Sequence, residues 1–183
     1  MVRGRRLPTR SWEPSPSVAE PRAVLLVEVL TFVRAASVCP GVIRIALLGS
    51  LATPKPIPKD ADVLVTLKDD VDLAALATAA RRLKGRAGGI NLGADVFLCD
   101  PGGRYFGRIC GYRECHARVN CEAHHCGKRD HLNDDLHLVN LQPDLTRSPP
   151  FILWPEVHRA AETPEDVEHL LLGPLERAQV NLS

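Results

Sequence analysis

Three short apolar runs constrain this chain most: "VIRIALLG" (42–49), "ADVLVTL" (61–67) and "ADVFLCD" (94–100). The first is β-branched and almost wholly apolar, as a buried strand should be, and the other two read as strands beside it. Before them, Val18, Leu25, Leu26, Val29, Leu30 and Val33 recur at helical spacing from Ser17 to about Ser37. Pro21 suits the first turn of that helix, and Pro40-Gly41 closes it. Between the second and third runs, Leu73, Leu76, Ala77, Ala80 and Leu83 form one apolar face, ending near Gly85. Asp69 or Asp70 is the expected cap. The order helix, strand, strand, helix, strand points to an α+β (α/β-like) domain, a small mixed sheet flanked by helices.

The rest of the chain divides around that core. Residues 1–17 are basic and Pro-rich and read as a flexible N-terminal segment. Residues 18–100 form the core, 101–133 a Cys/His-rich insertion, and 134–183 a last strand and a C-terminal helical segment of the same domain. "DLHLVNL" (135–141) is the candidate fourth strand, "SPPFILWP" a Pro-rich connection with Trp154 as a packing anchor, and "TPEDVEHLLLGPL" a helix with Thr163 as cap and Pro164 at its first position. At 183 residues the chain can bury a core without covalent staples. A net charge of +1 gives no global field to recruit nucleic acid or an anionic membrane. The longest apolar stretches are broken by Glu28 and Arg44 and are too short to span a bilayer. With no apolar core and cleavage site after the basic start, the expected location is cytoplasmic.

The second run carries two acids, Asp60 and Asp62, one residue apart. On a strand both point to the same face, with Cα atoms about 6.6 Å apart. Carboxylates that close repel, and burial worsens the conflict. A divalent cation resolves it, and an oxygen-only donor set favours Mg²⁺ or Mn²⁺ over zinc. Asp95 repeats the local pattern, "ADVF" against "ADVL". If its strand lies beside the second, three carboxylates meet in the donor set of a two-ion site, the ions about 3.5–4 Å apart. Gly49 permits a sharp turn and close backbone approach, and Ser50 adds a hydroxyl beside amides able to bind phosphate oxygens.

Gly49-Ser50, nine intervening residues, Asp60-Ala61-Asp62 in an apolar strand and Asp95 on a later strand resemble the polymerase-β-like nucleotidyltransferase superfamily, most of all its minimal members. The resemblance covers roughly residues 20 to 100. It implies the nucleotidyltransferase fold, with Asp60 and Asp62 binding two Mg²⁺ or Mn²⁺ ions and Asp95 the ion that activates an acceptor hydroxyl. Gly49 and Ser50 would contact the β- and γ-phosphates of an NTP. Many minimal members continue the Gly-Ser pair with Arg-Ala-Arg-Gly, whereas this chain has Leu51-Ala52-Thr53-Pro54. Lys55 or Lys59 would then supply the missing phosphate contacts. The implied reaction moves an NMP from an NTP to a hydroxyl of a small molecule, a protein or an RNA end, releasing pyrophosphate.

In "CGYRECHARVNCEAHHCG", Cys110, Cys115, Cys121 and Cys126 crowd into seventeen residues, with His124 and His125 as possible substitute ligands. Four thiolates in a loop-rich segment can close a tetrahedral structural zinc site; free or redox-active thiols and a catalytic zinc are the other readings. Cys39 and Cys99 lie in or beside apolar elements and read as core filler. Arg104, Arg108, Arg113, Arg118, Lys128 and Arg129 surround the segment, with Tyr105, Phe106 and Tyr112 among them. Such a mixture can hold a base or single-stranded nucleic acid, or be a solvated loop pinned to the core. His131 and His137 read as ordinary surface or core residues, and Asp134-Asp135 as a turn or strand entry. The alternative to an enzyme is a catalytically silent module of the same fold, whose zinc loop recognises nucleic acid or a partner protein.

Overall fold

The computed structural model describes residues 20–113 and 123–180. Helix α1 (Pro21–Ala36) opens with Pro21 in its first turn and buries Leu25, Leu26, Val29, Leu30 and Val33. Ser17 and Val18 lie outside the described residues. Strand β1 (Val42–Leu48) leads into a short 3₁₀ turn (Ser50–Ala52), and β2 (Asp60–Leu67) pairs antiparallel with β1. Helix α2 (Ala74–Gly88) then crosses to β3 (Gly93–Cys99), which lies parallel to β2, the connection that a parallel pair requires. The Asp72 carboxylate accepts the Ala74 amide at 2.8 Å just ahead of α2, whose N-cap is Leu73 rather than the expected Asp69 or Asp70.

Among the described residues the sheet has six strands in the order β5-β4-β3-β2-β1-β6. Strands β4 (Tyr105–Ile109) and β5 (Leu132–Asn133) extend it beyond β3, and β6 (Phe151–Trp154) adds to the free edge of β1. The mixed α+β architecture is therefore as expected, but its outer strands are not. Residues 135–141 form no strand. Instead the Asp135 carbonyl accepts the amides of Leu138 and Val139, closing a turn. The last strand lies in the Pro-rich connection instead. Pro149, Pro150 and Pro155 bracket it, a composition tolerated at a sheet edge, where one side of the strand needs no ladder bonds.

Alternation along the strands separates two faces. Ile45, Leu47, Ala61, Val63, Val65, Ala94, Val96 and Leu98 point to the main core under α1 and α2. Each fully buried Leu or Val there contributes about 1.5–3 kcal/mol. Ala46, Leu48, Leu64, Phe97, Cys99 and Tyr105 face the other way, under Val139, Leu141 and Leu145. Cys99 is thus core filler, and Cys39 and Trp154 pack against the main core. Arg44 belongs to the second face. It donates to Thr66 Oγ1 at 3.2 Å and to the Arg147 carbonyl at 3.0 Å, which ties the short helix α3 (Pro143–Arg147) to the sheet.

The C-terminal helix is built in three parts: α4 (Glu165–Val167), a π turn (Glu168–Leu172) and α5 (Gly173–Val180). Pro164 precedes it, and Thr163 Oγ1 donates back to the Ala160 carbonyl at 3.1 Å rather than capping the helix. The wide turn sends the Gly173 amide to Glu168 O, five residues back, and so lets Pro174, which has no amide to give, continue the helix. Among the described residues no helix is long and apolar enough to cross a membrane.

Candidate functional site

Asp60 and Asp62 point to the face of the sheet opposite α1 and α2, as their alternation with buried Ala61 and Val63 requires. In the parallel β2–β3 register Asp62 stands beside Asp95, and Asp60 beside Gly93. All three acids therefore share one face, near the start of two adjoining strands. On the other side of β2, Asp62 pairs with Leu48, so β1 ends where the acids begin and hands the chain to Gly49.

That hand-over makes glycine necessary. Gly49 has φ 68 and ψ −157, backbone that residues with a side chain avoid. A Cβ there would lie 2.0 Å from Asp62 Oδ2. The carboxylate thus packs directly on the Gly-Ser bend. The Lys59 amide donates to Ser50 Oγ at 3.4 Å and Thr53 Oγ1 to the Ser50 carbonyl at 2.8 Å, so the loop closes on itself from both ends. Accepting the amide leaves the Ser50 hydroxyl proton free to donate elsewhere.

Burial, and then the neighbouring charges of Asp60 and Asp95, push the Asp62 carboxyl up to about 6. Asp95 is treated differently. Its Oδ1 lies 3.4 Å from Lys84 Nζ and its Oδ2 3.1 Å from Arg108 Nη1. Arg108 turns its other edge to Asp135, with Nη2 and Nε donating to Oδ2 at 2.6 and 3.0 Å. The Asp135 side chain is 0% exposed. Burial opposes the charge on Arg108, but Asp95 and Asp135 outweigh it and raise its pKa. Beside them Tyr105 OH, Asn133 Oδ1 and Asp135 Oδ1 are buried with no hydrogen-bond partner among the described residues. Burial, then the Asp135 charge, raise the Tyr105 hydroxyl. Asp95 is thus held by two cations, and among the described residues no group of three or more His, Cys, Asp or Glu is arranged to hold a metal ion.

The expected phosphate contacts Lys55 and Lys59 are exposed on the loop, and neither forms an ion pair among the described residues. Their loop is held from below by Arg22. Its guanidinium donates to the carbonyls of Leu51 at 3.1 Å and Lys55 at 2.9 Å and pairs with Asp166 at the start of the C-terminal helix. Arg22 carries no motif of its own, although it stands one turn before Leu25 and Leu26 and two before Val29 on the stripe that α1 buries. A charge on a buried stripe signals a partner inside. Asp135 is expected in a turn or at a strand entry, and its pairing with Arg108, 27 positions away, has no local signature.

Of the cysteine cluster, Cys115 and Cys121 lie outside the described residues. Cys110 is buried where β4 ends, its amide donating to the His131 carbonyl at 2.8 Å, and Cys126 is exposed. His124 and His125 meet edge to face at 4.4 Å. Asp134 accepts the His125 amide at 2.8 Å and pairs with its Nδ1 at 2.7 Å, the carboxylate support that metal-ligating imidazoles commonly have. Several members of the basic and aromatic set are engaged within the fold. Arg104 pairs with Asp100 at 3.0 Å, Arg129 donates to the Val71 carbonyl at 3.0 Å and stacks over Phe106, and Tyr105 is buried. Tyr112 is exposed, and Arg118 lies outside the described residues.

Comparison with family models, with curated proteins and with solved structures finds no match to this chain.

Proposed function

We propose that the protein is a metal-dependent nucleotidyltransferase of the polymerase-β-like superfamily, moving an NMP from an NTP to a hydroxyl acceptor with loss of pyrophosphate. The observation that carries this reading is the packing of the Asp62 carboxylate on the Gly49-Ser50 bend, beside Asp95 in register. Neither a solvated surface nor a strand end needs an acid whose neighbour must be glycine. The donor set fits a hard divalent cation: it is all oxygen, and Asp62 bears a charge that burial and Asp60 disfavour until a cation arrives. Asp60, Asp62 and Asp95 would hold Mg²⁺ or Mn²⁺, which would neutralise the triphosphate and activate the acceptor hydroxyl. The chain's own part is positioning. The Gly49 and Ser50 backbone and hydroxyl would face the phosphates, while Arg22 fixes the loop from beneath and Lys55 and Lys59 extend from it into solvent.

A catalytically silent module is the second reading, and one observation favours it: Lys84 and Arg108 already satisfy Asp95. The test is label transfer from each α-labelled NTP with Mg²⁺ or Mn²⁺, using cell extract as the source of acceptors. Transfer that is lost in an Asp60→Ala, Asp62→Ala variant is expected. Metal-dependent nucleotide binding with no transfer in any fraction would favour the silent module, and no binding at all would refute the nucleotide reading. For the cysteine segment we propose structural zinc, held by Cys110, Cys115, Cys121 and Cys126 or with His125, supported by Asp134, in place of one thiolate. About one zinc per chain in elemental analysis of the same sample is expected.

A further inference from the structure

We infer that Arg108 is a resident counter-ion of Asp95, fixed there by Asp135, so that the nucleotide-free protein takes up one divalent cation, at Asp60 and Asp62, and not two. The inference rests on the metal reading above and limits it. Its basis is the distribution of charge. Asp60 and Asp62 form no ion pair among the described residues, and the two carboxylates, Asp62 packed on the bend and Asp60 two residues before it on the same strand face, have no counter-charge there. Asp95 and Asp135 carry two more, and these are met by Arg108 and Lys84. One doubly charged ion completes the balance. A second would have to bind against a guanidinium 3.1 Å from the oxygen it needs.

Arg108 is not free to step aside in the nucleotide-free protein. It sits on β4 opposite Phe97, two residues beyond Asp95 on the same face of β3, so its reach to Asp95 follows from the sheet. Its Nε and Nη2 both donate to an Asp135 oxygen that solvent does not reach. Withdrawing the guanidinium would leave a buried carboxylate unpaired, which is strongly unfavourable. The buried oxygens of Asn133 and Asp135, which have no hydrogen-bond partner among the described residues, add negative potential on that side and hold the cation there. Lys84 differs: its side chain is 52% exposed and 3.4 Å from Asp95, an ion pair that solvent can replace. Asp135 is therefore a positioning residue that acts on Asp95 through Arg108.

The experiment counts Mn²⁺ bound to the full chain without nucleotide, from the loss of the free-ion electron paramagnetic resonance signal. The wild type is expected to bind one ion per chain, and an Asp60→Asn, Asp62→Asn variant to lose it. Replacing the buried pair together, Arg108→Met with Asp135→Leu, avoids an orphaned charge; thermal unfolding verifies that the variant folds. Its count is expected to rise to two. Two ions in the wild type would overturn the inference and leave the metal reading intact, as would a folded double variant that still binds one. No ion bound to the wild type would overturn both. The wild-type count decides the inference even if the double variant fails to fold.

Discussion

Replacing Asp62 by Asn is expected to stabilise the metal-free protein, in a pH-dependent way. The folded protein raises this carboxyl from its ordinary value of 3.8 to about 6, chiefly by burial and then by Asp60 and Asp95. Such a rise corresponds to about 3 kcal/mol against the ionised folded state. The side chain is partly exposed, and solvent screening reduces that to about 1–2 kcal/mol. Because the folded value lies above the unfolded one, the wild-type penalty is absent below about pH 4, grows as pH rises and is complete above about pH 6. Asn carries no such penalty. In EDTA at pH 7.5 the variant should therefore melt about 3–6 °C higher than wild type, given the size of the chain. At pH 4 the advantage should vanish. Saturating Mn²⁺ should reverse the order, because the ion stabilises the folded wild type by mass action and Asn removes a ligand. Thermal unfolding at several pH values, with EDTA and with Mn²⁺, measures all three effects. A variant less stable than wild type at pH 7.5 in EDTA, or an advantage that does not change with pH, would refute the reasoning.

Gly49→Ala combines unfavourable backbone with a Cβ 2.0 Å from Asp62 Oδ2. It should cost about 1–3 kcal/mol. Part of that cost should disappear in an Asp62→Ala background, and strict additivity in the double-mutant cycle would show that the bend and the acid do not touch. Asp166→Ala leaves the Arg22 guanidinium 8% exposed without its carboxylate. As Asp166 is itself partly solvated, a loss of about 1–3 kcal/mol is expected, smaller than for a fully buried pair. Hydrogen exchange should quicken at Ala52 and Thr53, whose amides close the turn that Arg22 supports; unchanged protection there would mean that Arg22 does not secure the loop.

The central part of this molecule is legible in its sequence because its signals are local. Helical spacing from Leu25 to Val33 and β-branched runs at 42–48 and 61–67 select their elements over a few residues each. The strand period of two then puts Asp60 and Asp62 on one face without further information. At the edges of the sheet, local pattern and long-range pairing diverge. The run 135–141 is rich in leucine, yet Asp135 is drawn under the sheet by Arg108 and the chain turns there. The run 151–154 lies among prolines, yet the open edge of β1 supplies it with a partner.

By itself the sequence determined the central helices and strands and that Asp60 and Asp62 would share a face. Only the tertiary structure decided what those acids face. The β2–β3 register set Asp95 beside Asp62, the packing of the bend put Asp62 against Gly49, and β4 brought Arg108 to Asp95 with Asp135 behind it. The physical reason is range. Backbone preference and side-chain alternation are settled between near neighbours, whereas the charge balance of a buried site depends on groups that only the closed sheet brings within a few ångströms.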